Sequence, residues 1–170
     1  MNQDSNNYWE QLERLEKLIR SSEFKAAAIF SFHGLILGLF FDRFDQISFI
    51  FEEGNLYIIL VSLWFISVII SVFFCFLCFK PQIELKYDKN VFFYKDAANS
   101  FGDAKGYTKE LLKVCDNNKE LFELLAAQIH VESIIIDHKF MNVHKAIVFF
   151  GISISFVIAT GTFYIIQSVF

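Results

Sequence analysis

Charged residues divide the chain into blocks, and the gaps between them set the architecture. None occurs from Ala26 to Phe41, from Gly54 to Phe79 or from Ala146 to Phe170, stretches of 16, 26 and 25 residues. A helix rises about 1.5 Å per residue, so a hydrocarbon core of ~30 Å takes about 20 residues. The second and third gaps meet that length outright. The first is short, unless Phe24 and the stem of Lys25 extend it by snorkelling or the bilayer thins locally. A cleaved signal segment is the rival reading of the first gap. It fails because a polar, charged segment precedes the apolar run and no small-residue cleavage pattern follows it.

Periodicity extends two of these spans. Trp9, Leu12, Leu15 and Ile19 recur at three- and four-residue steps, with Glu10, Glu13, Lys17 and Arg20 on other faces. Nothing breaks that pattern before the first span, so one helix is expected from about residue 7 to 41. From Asn118 no Pro or Gly occurs until Gly151, and Phe122, Leu125, Ile129, Ile136, Phe140 and Val143 form a helical seam that runs into the third span. Pro81 ends the second span. Beyond it, Ile83 to Tyr87 alternates with period two, Asp88-Lys89-Asn90 offers turn chemistry, and Val91 to Tyr94 follows, which predicts a short β-hairpin. Asp96 to Gly106 reads as loop and residues 107–117 as a short helix. The fold class is therefore all-α with three transmembrane helices, two of them extended into a small helical cytoplasmic domain.

Charge orients the spans. Arg14, Lys17, Arg20 and Lys25 precede the first; 42–53 holds Arg43 against Asp42, Asp45, Glu52 and Glu53; Lys80 to Lys145 carries ten lysines; nothing after Lys145 is charged. The positive-inside rule then gives a cytoplasmic N-terminus and a C-terminus at the outer face. The expected organisation is a cytoplasmic amphipathic helix (1–24), spans at 25–41, 55–79 and 146–170, an outer connection at 42–54 and a cytoplasmic domain at 80–145. The apolar Ile47 to Phe51 is too short to span and is expected to lie in the interface as a short helix.

Composition adds little beyond this. Apolar residues make up 55% of the chain, Phe supplies 23 positions, and the net charge of −4 has no basic block suited to nucleic acid. Cys75-Phe-Leu-Cys78 matches C-x-x-C but lies inside an apolar helix with no second pair, so it reads as packing, and with Cys115 it makes no disulfide framework. His130, His138 and His144 share one helix without metal-ligand spacing, so no metal site is expected. His33 stands out because an ionisable group in a span is expensive. It is expected to make an interhelical hydrogen bond, with Ser62, Ser67, Ser155 and Thr160 as candidate partners; a pore-lining role is the alternative. Gly34 and Gly38, Ser67, Ser71 and Cys75, and Gly151, Ser155 and Ala159 each put small side chains on one helix face, which lets helices approach closely in lipid within one bundle or in an oligomer. No P-loop, nucleophile–base pair or glycine-rich phosphate turn is present, which argues against an enzyme.

Several short motifs, in order, resemble one family. Glu23-Phe24-Lys25-Ala26 opens the first span, Val91-Phe92-Phe93 follows the second, Tyr107 opens a helix, and Gln128-Ile129, Ser133, Ile136, Lys139-Phe140 and Ala146 lead into the third. Together they are similar to the transmembrane effectors of Pycsar, the bacterial anti-phage system in which a cyclase makes cyclic pyrimidine nucleotides. Glu23 stands where the family has Asp, and Tyr94 where a Gly often follows the paired Phe. The resemblance implies an inner-membrane, homo-oligomeric effector that answers cyclic CMP or cyclic UMP from a companion cyclase by impairing the membrane and arresting the infected cell. It also implies a ligand site among Lys25, Phe92, Phe93, Tyr107, Gln128, Ser133 and Lys139, where aromatics stack on a base and lysines meet the phosphate. A ligand-free scaffold, or an effector gated by a separate sensor protein, are the competing readings.

Overall fold

The structure, a computed structural model, describes residues 5–47, 55–80 and 89–169. Six helices follow in chain order: α1 Ser5–Asp42, α2 Phe44–Ile47, α3 Asn55–Phe79, α4 Tyr94–Asn99, α5 Ala104–Asp116 and α6 Asn118–Val169. α1, α3 and α6 are each long and apolar enough to cross a membrane. The chain is a membrane protein. α1 has 38 residues and α6 has 52, far more than the roughly 20 that a crossing takes.

Two expectations change. The 96–106 stretch is not all loop, because α4 occupies Tyr94–Asn99 and α5 begins at Ala104. Ala97 N–H bonds to Phe93 O at 2.9 Å and Ser100 N–H to Asp96 O at 2.8 Å, which closes α4 as a short helix. No strand occurs among the described residues. The expected second hairpin arm is instead a turn, Val91 to Phe93, closed by Phe93 N–H on Asn90 O at 3.1 Å. The first arm, 83–87, lies outside the described residues. So does most of the expected interfacial helix, of which α2 holds only the start.

The chain forms two compact units: residues 1–20 with 81–137, and residues 21–80 with 138–170. In the first, Leu12 and Leu15 of α1, Val91, Phe93, Val114 of α5, and Leu125 of α6 are buried. Burial of such a side chain contributes about 1.5–3 kcal/mol. Tyr8 meets Phe122 at 5.2 Å between ring centroids, and Trp9 meets Phe92 edge-on at 5.4 Å.

The second unit is a three-helix bundle with one inner face per helix. Ser22, Ala26, Ile29 and His33 supply α1's face at steps of four, three and four. Trp64, Ser67, Ser71, Cys75 and Cys78 supply α3's, and Lys139, Val143, Ala146 and Ser153 supply α6's. Ser71 Oγ donates to Ala146 O at 2.9 Å, while Tyr57 O–H donates to Gln167 Oε1 at 2.8 Å further along. α3 therefore runs antiparallel to α6. Phe30 against Phe76 and Phe40 against Trp64 set α1 antiparallel to α3 as well. Large apolar side chains face outward, among them Phe32, Leu35, Ile59, Ile69, Ile158 and Ile165. In water that distribution would be unstable, but lipid solvates it. Helix association in lipid rests on close packing instead, which the small inner residues allow.

Candidate functional site

In the first unit the turn at 90–93 is organised by one side chain. Asn90 is buried; its Nδ2 donates to Leu124 O of α6 at 2.8 Å, and its Oδ1 accepts Phe92 N–H at 2.9 Å. Its backbone N–H donates to Asp96 of α4 at 2.9 Å. Tyr107 O–H, from α5, donates to Val91 O at 3.2 Å. Asn90 therefore joins α4, α6 and the turn. Asn90→Ala is expected to lower the stability of this unit by about 1–2 kcal/mol, read as an earlier loss of its helical signal on heating in detergent.

This framework borders a cavity of about 430 Å³ lined by Lys89, Ser100, Phe101, Gly106, Glu110 and Glu120 among others. That volume lies in the range of small-molecule sites. Lys89 Nζ donates to Ser100 O and sits 3.9 Å from the Phe101 ring centroid, a close cation–π contact. Gly106 is obligatory in the wall, because a Cβ there would lie 2.3 Å from Phe101 O. Asp103 caps α5 by accepting Gly106 N–H at 2.8 Å. The cavity thus offers one cation, an aromatic face and two carboxylates. Lys89, Phe101 and Glu110 were not singled out by sequence reasoning; the signal available was a lysine beside the turn-forming Asn90.

The residues implied by the resemblance fall in both units. Phe92, Phe93, Tyr107, Gln128 and Ser133 belong to the first. Phe93 is buried, and Phe92 is half-buried against Trp9. Gln128 Nε2 donates to Glu132 Oε1 at 3.0 Å, and Ser133 Oγ donates back to Ile129 O at 2.7 Å. Burial pushes the Glu132 carboxyl above its ordinary value of 4.5, with Gln128 opposing and Glu16 adding to the rise. A carboxyl with a raised folded value binds its proton more readily folded than unfolded, so stability falls as pH rises through that raised value. Glu132→Gln is expected to remove this dependence: melting curves of the variant flatten between pH 4.5 and 7, and it equals or exceeds the parent at pH 7.

Lys25 and Lys139 belong to the second unit. Lys25 is exposed, with its ammonium 5.9 Å from the Phe140 ring centroid. Lys139 is buried, and its Nζ donates to Glu23 Oε1 at 2.7 Å and to Cys78 O at 2.6 Å. One ammonium therefore clamps α1, the last turn of α3 and α6 together. The Cys78 carbonyl is among the last four of α3, which lack helical partners, and a cation there also meets the negative end of the helix.

His33 departs from expectation. Only 1% of it is exposed, it packs edge-on to Phe150 at 5.1 Å, and neither Nδ1 nor Nε2 has a hydrogen-bond partner. The expected interhelical hydrogen bond is not made. The hydroxyls are directed to carbonyls instead: Ser67 to Leu63 O, Ser155 to Gly151 O and Thr160 to Phe156 O. The small-residue faces also divide. Ser67, Ser71 and Cys75 pack inward, whereas Gly34, Gly38, Gly151, Ser155 and Ala159 are exposed. A Cβ added at Gly34, Gly38 or Gly151 meets nothing within 4 Å.

A family model for the Pycsar effector protein domain matches residues 7–166. No curated protein and no solved structure matches the chain. The family match covers the spans, the 90–93 turn, α4 and α5 alike, and with three membrane-crossing helices it assigns this chain to the Pycsar effector family, as an anti-phage effector of the membrane whose family is triggered by a cyclic nucleotide.

Proposed function

We propose that this chain both senses the signal and executes the response: a cyclic pyrimidine nucleotide, cyclic CMP or cyclic UMP made by a companion cyclase, binds the first unit, and the three spans then impair the inner membrane and arrest the infected cell. The observation that carries this reading is the extent of the family match, which runs over residues 7–166 and so takes in residues of both units. α1 and α6 each contribute residues to both units. A ligand that favours one packing of the first unit shifts the population of that packing, and unbroken helices carry the change into the spans. No catalytic step is required. The lysine-rich segments lie on the cytoplasmic side, where a cyclase product would be encountered.

The cavity beside Lys89 supports a ligand of this class. Lys89 is suited to the single phosphate charge and Phe101 to the flat face of a base. Glu110 and Glu120 accept hydrogen bonds, which suits the ribose hydroxyl and the exocyclic amine of cytosine better than the carbonyl of uracil. Homo-oligomerisation is supported by the exposed Gly34/Gly38 and Gly151/Ser155/Ala159 faces, which a second copy can cover in lipid.

Calorimetric titration of the purified chain with cyclic CMP, cyclic UMP, cyclic AMP and cyclic GMP tests the sensing step. A pyrimidine nucleotide is expected to bind, and Lys89→Ala is expected to weaken it about tenfold through loss of a charge-assisted hydrogen bond. Binding of none of the four by folded protein would return the separate-sensor reading.

A further inference from the structure

We infer that the permeation path is the interior of the three-helix unit itself, a file that hydrates for water and small monovalent ions, with His33 at its dry point. This rests on the reading that the chain impairs membranes, but not on which ligand triggers it.

The distribution of polarity argues for a path inside the protein. Within the described part of this unit the buried polar side chains are Ser22, His33, Ser67, Ser71, Lys139 and Ser153, all on the inner faces. The lipid-facing surface is dominated by Phe, Ile, Leu and Val, with small residues such as Gly34, Gly38, Gly151 and Ser155 between them. It carries no charged side chain along the spans that would draw ions outside the bundle. Ala26, Cys75, Cys78 and Ala146 are fully buried beside them. Small side chains fill the interior around Ser71, Cys75 and Ala146, whereas Trp64 and Tyr57 fill α3's inner face nearer its start, so a modest separation of the helices around Ser71 admits water.

His33 supplies the independent observation. A fully buried imidazole with two unpartnered nitrogens is a costly arrangement that protein interiors avoid. Water entering the seam would satisfy both nitrogens, so hydration is favoured at the residue that the closed packing leaves unsatisfied. The hydroxyls of Ser71 and Ser153 donate to Ala146 O and Phe150 O, which leaves their lone pairs as acceptors for the same water. Two tethers hold the bundle shut. Lys139 joins Glu23 and Cys78 O at one end, and Tyr57 joins Gln167 toward the other. Releasing the first lets α1 and α6 part while the outward faces stay in lipid.

The test uses the full chain in liposomes loaded with both potassium and carboxyfluorescein, read by a potassium electrode and by fluorescence. Glu23→Gln is expected to raise potassium efflux about tenfold with no nucleotide added, while the dye stays inside. Lys139→Met serves as a second release of the same tether, with circular dichroism confirming helical protein. Adding His33→Leu to either variant is expected to return efflux to that of empty vesicles. Efflux in these variants with no response to any nucleotide would leave the path standing and sink the ligand reading. Dye and potassium leaving together, efflux indifferent to His33→Leu, or two folded tether variants that leak nothing would each overturn the inference.

Discussion

Glu23→Ala is expected to weaken the three-helix unit by about 3 kcal/mol, and Lys139→Met by clearly less. The asymmetry follows from burial. The Lys139 side chain is 5% exposed and that of Glu23 is 41% exposed. Removing Glu23 leaves an ammonium inside the bundle whose remaining hydrogen-bond partner among the described residues is the Cys78 carbonyl. Removing Lys139 leaves a carboxylate that can turn to water, and a methionine of similar length keeps the packing. The value sits at the low end for a buried pair because solvent already screens the Glu23 side. The double variant should cost less than the sum of the singles, since neither charge then remains to be stranded. Unfolding in mixed micelles measures all three. Equal losses for the two single variants would show that the pair behaves as an exposed one.

His33→Leu is expected to act in the opposite direction, stabilising the unit by about 2 kcal/mol. Both ring nitrogens lie without partners, and the ring packs edge-on against Phe150. Replacing an unsatisfied buried polar group by an apolar one of similar volume removes its desolvation cost and keeps the contact with Phe150. The same unfolding assay reads the gain. A loss of stability instead would mean that His33 is satisfied in the membrane, and the costly closed state would have to be given up. A gain in stability coupled to a loss of function is the pattern expected of a residue kept for what the protein does.

The helices were legible because their signal is long. Gaps free of charge and a seam repeated from Phe122 to Val143 survive any local detail, and α1 and α6 run as single helices through those regions. Short segments were not legible. Val91 to Tyr94 has the composition of a strand, but Asn90 spends its side chain on Leu124 O and Phe92 N–H and turns the chain there. α4 has six residues and no side-chain cap, too few for periodicity to register. Spacing identified which helix faces are small but not where they point. Ser67 and Ser71 turned inward, while Gly34, Gly38 and Gly151 turned out.

The candidate site shows the same division. Motif residues such as Lys139 and Gln128 could be named from order along the chain, but their partners come from elsewhere in the fold. Lys139 meets Glu23 and Cys78, residues 116 and 61 positions away. Nothing local in the sequence marks a lysine as a clamp rather than a phosphate ligand. Lys89 and Phe101 meet because the chain turns between them, at 90–93 and again at Ser100 after α4.

Whether one chain senses and executes is read from the membrane potential of sealed liposomes carrying the unaltered protein, followed with a voltage-sensitive dye while cyclic nucleotides are added one at a time. Collapse of the potential on adding a cyclic pyrimidine nucleotide, with no collapse on adding cyclic AMP or cyclic GMP, is the result predicted. A potential that holds against all of them, in vesicles where the protein is folded and inserted, would contradict the claim that one chain both senses the signal and breaches the membrane.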